Sequence, residues 1–249
     1  MNPSESNLMH SWAKTAWSKI LLGRGQDDVA ARARSELLVR YHEVVYHYFV
    51  KKLRDPHKAG ELYSNFALKL LESDRMIKQA DPSRGRFRNY LMRSLHHLVI
   101  DYYRSEAVRK GHQQPITIDP AEHDVAERDD AFPPLWRQEL LNQAWKSLED
   151  HDRESGQIHY AVLRYQSDHP EQRAPQIAAH LGPVLKREMT SEGVRQTLHR
   201  AREKFADLLL EEVERSLESP TVEQLEEELI DLQLLSFCQK ALEKRRQGR

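Results

Sequence analysis

The sequence predicts an all-α fold, with two helical domains joined by a flexible linker. Apolar residues recur at three- and four-residue intervals through most of the chain, the period of helices with one buried face. Little in the pattern suggests sheet, and no repeat of fixed period is present. The 249 residues suffice for one or two domains with real cores. With only 9 glycines, Gly-rich phosphate loops are disfavoured.

The first domain is expected over residues 8–109. Its stripes are Leu37, Leu38, Tyr41, Val44, Val45, Tyr48 and Phe49, then Leu62, Phe66, Leu70 and Leu71, then Phe87, Tyr90, Leu91, Leu95, Leu98 and Tyr102. Asp55-Pro56 and Asp81-Pro82 mark the breaks between the three helices. Residues 110–134 lose the period, carry Pro and acids, and read as the linker, with "ITI" as a short extended piece. The second domain is expected over 135–218. Leu135, Trp136, Leu140, Leu141, Trp145 and Leu148 mark its first helix; Ile158, Val162, Leu163 and Tyr165 mark the next. Ile177, Ala178 and Leu181 predict a short helix that stops at Gly182-Pro183. Thr190 or Ser191 then caps a longer helix that buries Val194, Leu198, Ala201, Phe205, Leu208 and Leu209. Residues 219–249 form an extension. From Thr221 it predicts one amphipathic helix started by Pro220, with Leu225, Leu229 and Leu232 opposite Glu223, Glu226, Glu227 and Asp231, capping the second domain.

The net charge of −1 hides an asymmetry. Arg84, Arg86, Arg88, Arg93, Arg104, Arg109 and Lys110 face only Asp101 and Glu106 in their stretch, whereas residues 211–231 are strongly acidic. A basic middle predicts polyanion binding, and an acidic tail predicts a protein-facing or solubilising role. Cys238 is the only cysteine, which suits a reducing cytoplasm and leaves no Cys-based zinc site. The N-terminus has no apolar core of signal-peptide length, and no apolar run reaches a membrane span. The chain is expected to be cytoplasmic, off the membrane, without cofactor or metal. His42 and His47 are five apart and point in different directions on a helix, so they make no metal pair.

Three constellations carry chemistry. The string His96-His97-Leu98-Val99-Ile100-Asp101 has the HHxxxD form of some acyltransferases, with His97 as the general base. It lies within a predicted helix, so a place on that helix's polar face is the stronger reading. The same stretch interleaves Tyr90, Tyr102 and Tyr103 with arginines, as surfaces that hold single-stranded DNA do. Tyr90, Tyr102 and Tyr103 cannot all face inward at that spacing. On the helix from Val194, Arg195, Gln196, His199 and Arg200 face outward and can bond base edges or phosphates. With the short helix before it, this makes a helix-turn-helix.

The stretch "DPSRGRFRNYLMRSLHHLVIDYYRS" resembles the "DPxRGxFRxYLxxxxxNxxxDxxR" segment of the extracytoplasmic-function sigma factors of bacterial RNA polymerase. Asp81, Pro82, Arg84, Gly85, Phe87, Arg88, Tyr90, Leu91, Asp101 and Arg104 match it, and His97 stands for its Asn. "WAKTAWSKIL" is similar to a leader of one branch, and "VRQTLHRAREKFADLLLEEV" to that branch's DNA-binding helix. The resemblance implies a non-enzyme. Its first domain would be region 2, binding core RNA polymerase and the melted minus-10 strand through Arg84, Arg86, Arg88, Tyr90, Arg93, His97 and Arg104. The linker would thread the polymerase channel. Region 4 would read duplex minus-35 DNA through Arg195, Gln196, His199 and Arg200.

The clamp-binding helix of that family reads roughly "AEDLTQExF", where this chain has "AGELYSNFA". Glu61, Leu62, Ser64 and Asn65 are the implied polymerase contacts. Gly60 and Asn65 remove acids, so a phosphate on Ser64 would restore the negative face, which makes a Ser/Thr kinase a candidate partner beside an anti-sigma factor. The same change motivates an alternative, a sigma-like adaptor that no longer opens promoters. "GPVLKREMT" is longer than the family's tight helix-turn-helix turn.

Overall fold

The computed structural model describes residues 16–25, 27–72, 75–78, 80–81, 86–109 and 129–247. Residues 1–15, the linker as far as residue 128 with its ITI piece, the start of the WAKTAWSKIL leader, and Arg84 lie outside the described residues. Every element among the described residues is a helix, so the fold is all-α. The chain divides into two compact units, Met1–Glu139 with Glu214–Pro220, and Leu140–Val213 with Thr221–Arg249.

In the first unit, α1 (Ala16–Leu22) meets α2 (Asp28–Leu53) through Lys19 and Glu36, 2.7 Å apart. Between them the buried Arg34 guanidinium donates to the carbonyls of Gly23 (2.7 Å) and Gly25 (2.8 Å). It thereby satisfies carbonyls of the connecting turn, which the helix ladders do not reach. The Asp27 carboxylate caps α2 by accepting from the Ala30 N–H at 2.7 Å. Arg54, in the left-handed region at φ 53°, ends α2, and Asp55 accepts from the N–H groups of His57 and Lys58. Pro56 opens α3 (Pro56–Glu72), where its missing N–H costs nothing. The short α4 (Arg75–Lys78) and the long α5 (Phe87–Arg109) complete this set.

The next helix, α6 (Phe132–Ser155), starts inside the stretch expected to be linker to residue 134. Pro133 and Pro134 sit in its first turn, where proline is tolerated, so they start a helix rather than forbid one. Trp136, expected in the second domain, belongs to the first unit and is fully buried there. Its ring stacks on Tyr41 at 5.1 Å and meets Phe87 at 5.8 Å and Phe132 at 6.0 Å. Just before it, the buried Asp129 carboxylate accepts from the Tyr48 hydroxyl (2.8 Å) and the Ala131 N–H (3.0 Å) and pairs with Lys52 Nζ (2.8 Å). Burial alone would raise the Asp129 pKa, but the bonds from Lys52, Tyr48 and Ala131 outweigh it and hold it below the usual carboxylate value. Burial and the same carboxylate push the Tyr48 phenol far up.

In the second unit, Asp152 near the end of α6 accepts from the Tyr160 N–H at 2.6 Å in the first turn of α7 (His159–Asp168). Trp145 packs on Phe205 at 4.6 Å, with the Arg164 guanidinium over its ring at 5.4 Å. The helix α8 (Ala174–Leu185) does not stop at Gly182-Pro183 as expected. Pro183 falls in its last turn, and the carbonyl that loses a bond to it belongs to Ala179 on the exposed side. The stop comes at Lys186, φ 51°, with the Lys186 and Arg187 N–H groups turned back to Gly182 O. A Cβ on Gly182 would come within 3.2 Å of Arg187 O. Thr190 Oγ1 then accepts from the Gly193 N–H at 3.0 Å and caps α9 (Ser191–Arg215).

The C-terminal extension holds two helices where one was expected, α10 (Val222–Asp231) and α11 (Leu235–Gln247). Thr221 and Gln224 form a capping box at the start of α10. The break comes at Gln233, φ 57°, a left-handed residue with no sequence mark such as Gly. Leu225, Leu229 and Leu232 are buried as expected, and Arg246 pairs back onto Glu226 at 2.5 Å. The buried Cys238 thiol is pushed up to about 12 by burial and the nearby Asp207, so it is inert. No helix among the described residues is long and apolar enough to cross a membrane.

Candidate nucleic-acid interface

On helix α5 three basic residues fall in phase. At about 100° per residue, Arg93, His97 and Arg104 lie within about 40° of one another, with Arg86 at the helix start on the same line. The Arg86 carbonyl accepts from the N–H groups of Asn89 and Tyr90. His97 and Arg104 are exposed, and Arg86 and Arg93 are half-buried. Arg104 pairs with Asp101 at 3.6 Å.

Arg88, expected on the single-strand face, is instead buried. It stands about 140° round the helix from Arg93 and in line with Met92, Leu95 and Val99, all buried. Tyr90 is half-buried, and its hydroxyl donates to the Met76 carbonyl. Burial raises its pKa, partly offset by Ser94 and Arg24. Tyr102 is half-buried, and Tyr103 is exposed with its hydroxyl donating to Lys52 O at 3.1 Å.

On α3, Glu61, Ser64 and Asn65 are exposed, with Glu61 3.5 Å from His57. Leu62, expected to contact the polymerase, is buried in line with Ala59, Phe66 and Leu70. The Ser64 hydroxyl donates to its own helix, to Gly60 O at 2.9 Å. Leu68 continues the exposed stripe at 54% exposure, so this face is partly apolar. Its position seven residues after Glu61 was the available signal.

On α9, Val194, Leu198, Ala201, Phe205, Leu208 and Leu209 are buried, while Arg195, Gln196, His199 and Arg200 are exposed. Arg195 pairs with Glu192 at 2.9 Å, and His199 lies 3.8 Å from Glu203. Arg202, unnoticed in the sequence, is exposed on the same helix.

Residues 37–109 match the family model for Sigma-70 region 2. The matched segment runs from within α2 to the last residue of α5. It supports a sigma factor, a protein of transcription initiation. No curated protein and no solved structure matches the chain. The region-2 segment thus contains both the α3 stripe and the basic line of α5.

Proposed function

We propose that the chain is a sigma factor that binds core RNA polymerase and directs promoter-specific initiation. The observation that carries this is the coincidence of the region-2 match with a helix whose Arg93, His97 and Arg104 fall on one line, with Arg86 just before its start. Cations in line suit a strand backbone, and half-buried Tyr90 beside them suits stacking, whereas Tyr102 stands on the opposite side of α5. Glu61, Ser64, Asn65 and Leu68 would meet the polymerase, and Gln196, His199 and Arg200 would read duplex minus-35 DNA. The role is that of a non-enzyme working with polymerase in the cytoplasm, with an anti-sigma factor or a Ser/Thr kinase as a regulator. Runoff transcription with core polymerase on genomic fragments tests it. Discrete start sites that depend on the chain are expected, and transcription no different from core polymerase alone would sink the reading.

The adaptor reading has two observations in its favour: Leu62 is turned to the core, and Ser64 spends its hydroxyl on Gly60, which together thin the contact set on α3. Tight core-polymerase binding without promoter opening would select it. A phosphomimetic Ser64→Glu that raises core affinity would support the kinase, and no gain over Ser64→Ala would remove it.

A further inference from the structure

We propose that the second unit grips duplex DNA by its phosphates in a cleft between the start of α8 and one side of α9, and that Arg195 belongs to this grip rather than to base reading. The inference rests on the minus-35 reading of α9 and divides its residues into two sets.

The cleft is open, about 800 Å³, and lined by Arg173, Arg195, Arg202, Gln166, Gln172 and Gln176 among others. Arg195 and Arg202 are seven residues apart, so they share one side of α9, flanking the buried Leu198. Arg173 immediately precedes α8 and supplies the opposite wall. Among the described residues, Arg173 and Arg202 have no carboxylate partner, whereas Arg195 pairs with Glu192 at 2.9 Å. The polar wall is held in place from behind. The Tyr165 hydroxyl donates to Gln172 Oε1 at 2.9 Å, Gln176 Oε1 accepts from the Arg173 N–H at 2.7 Å, and Gln166 Nε2 donates to His169 O at 3.3 Å.

Three guanidiniums with amide side chains around an open cleft suit a phosphodiester, since guanidinium matches two oxygens of one phosphate. Gln196, His199 and Arg200 line no part of the cleft, so they remain for base edges. Phosphate contacts set affinity on any sequence; base contacts set discrimination.

The test uses the full chain and a mixed-sequence duplex, with affinity measured across salt. Each phosphate contact contributes about 0.9 to the slope of log affinity against log salt. The double substitution Arg173→Gln and Arg202→Gln is expected to flatten the slope by about 2. Arg195→Gln should flatten it by about 1 and weaken two duplexes of unrelated sequence by the same factor. All three positions are exposed, and an unchanged circular dichroism melt confirms the fold of each variant. An unchanged slope while wild type binds duplex overturns the cleft but not the reading of α9. Wild type that binds no duplex overturns both. Inorganic tripolyphosphate provides the remaining arm: if the variants lose it but keep the duplex, the cleft takes a free polyphosphate and the DNA assignment falls.

Discussion

Helices α5 and α9 are of similar length, and each turns Arg and His outward, yet they treat charge differently. On α9 the buried line of Val194, Leu198, Ala201 and Phe205 is apolar until it reaches the buried Glu212 near the helix end, and Arg195, Arg200 and Arg202 all reach solvent, so no arginine enters the core there. On α5 the corresponding line is Arg88, Met92, Leu95 and Val99, so a guanidinium takes a core position. Arg34 does the same on α2, where it satisfies the carbonyls of Gly23 and Gly25. The first unit uses arginine as internal scaffolding as well as outer surface. Being charged therefore says less about exposure than angular position does.

The largest expected effect lies beside α5. Trp136→Ala removes a fully buried ring from its contacts with Phe87 and Tyr41 and should cost about 3–5 kcal/mol, read as a lowered urea midpoint. A loss comparable to that of an exposed residue would show that the aromatic cluster is not the core of the first unit. Next comes the direct contrast. Arg88→Ala should cost about 1–3 kcal/mol, because polar groups are left buried without it. Arg200→Ala should change stability by no more than about 0.5 kcal/mol. Equal losses in the two variants would break the comparison.

Thr190→Ala should cost about 1 kcal/mol through the lost cap on α9 and should leave the first unit's melting untouched. A drop shared by both units would argue against separate cores. The last effect is one of pH. The Asp129 carboxylate is depressed in the folded chain, so its contribution is present above the unfolded value of about 3.9 and is lost as pH falls through the lower folded value. Wild type should therefore lose stability in acid more steeply than Asp129→Asn, as measured by midpoints below pH 5. Parallel curves would remove Asp129 from the account.

The sequence made the long helices, the cap of α9 and its phase legible because each rests on local pattern. Thr190 and the 194–209 stripe needed no partner to be read. The burial of Arg88 was legible too, had it been placed by angle with Leu95 and Val99 instead of by charge with Arg86 and Arg93. Leu62 was the same confusion in reverse, a core residue taken for a contact. Other features were out of reach. Pro183 does not stop α8, because the carbonyl opposite it lies on the exposed side, and that is known only once the helix is placed. Nothing local marks Gln233 as left-handed, so the extension read as one helix. The membership of Trp136 in the first unit depends on Tyr41 and Phe87, far away in sequence.

The clasp of Tyr48 on Asp129 also gives the molecule an optical signal of its own. An ordinary phenol ionises near pH 10 and then absorbs as tyrosinate. Tyr48 is fully buried, and its proton is committed to a carboxylate at 2.8 Å, so it stays dark well beyond that point. In an alkaline titration half-buried Tyr90 would ionise late as well, so the part of the late rise in tyrosinate absorbance that depends on Asp129 marks the moment when the approach to α6 lets go of α2. The rise should move earlier in Asp129→Asn, with no dye or label attached.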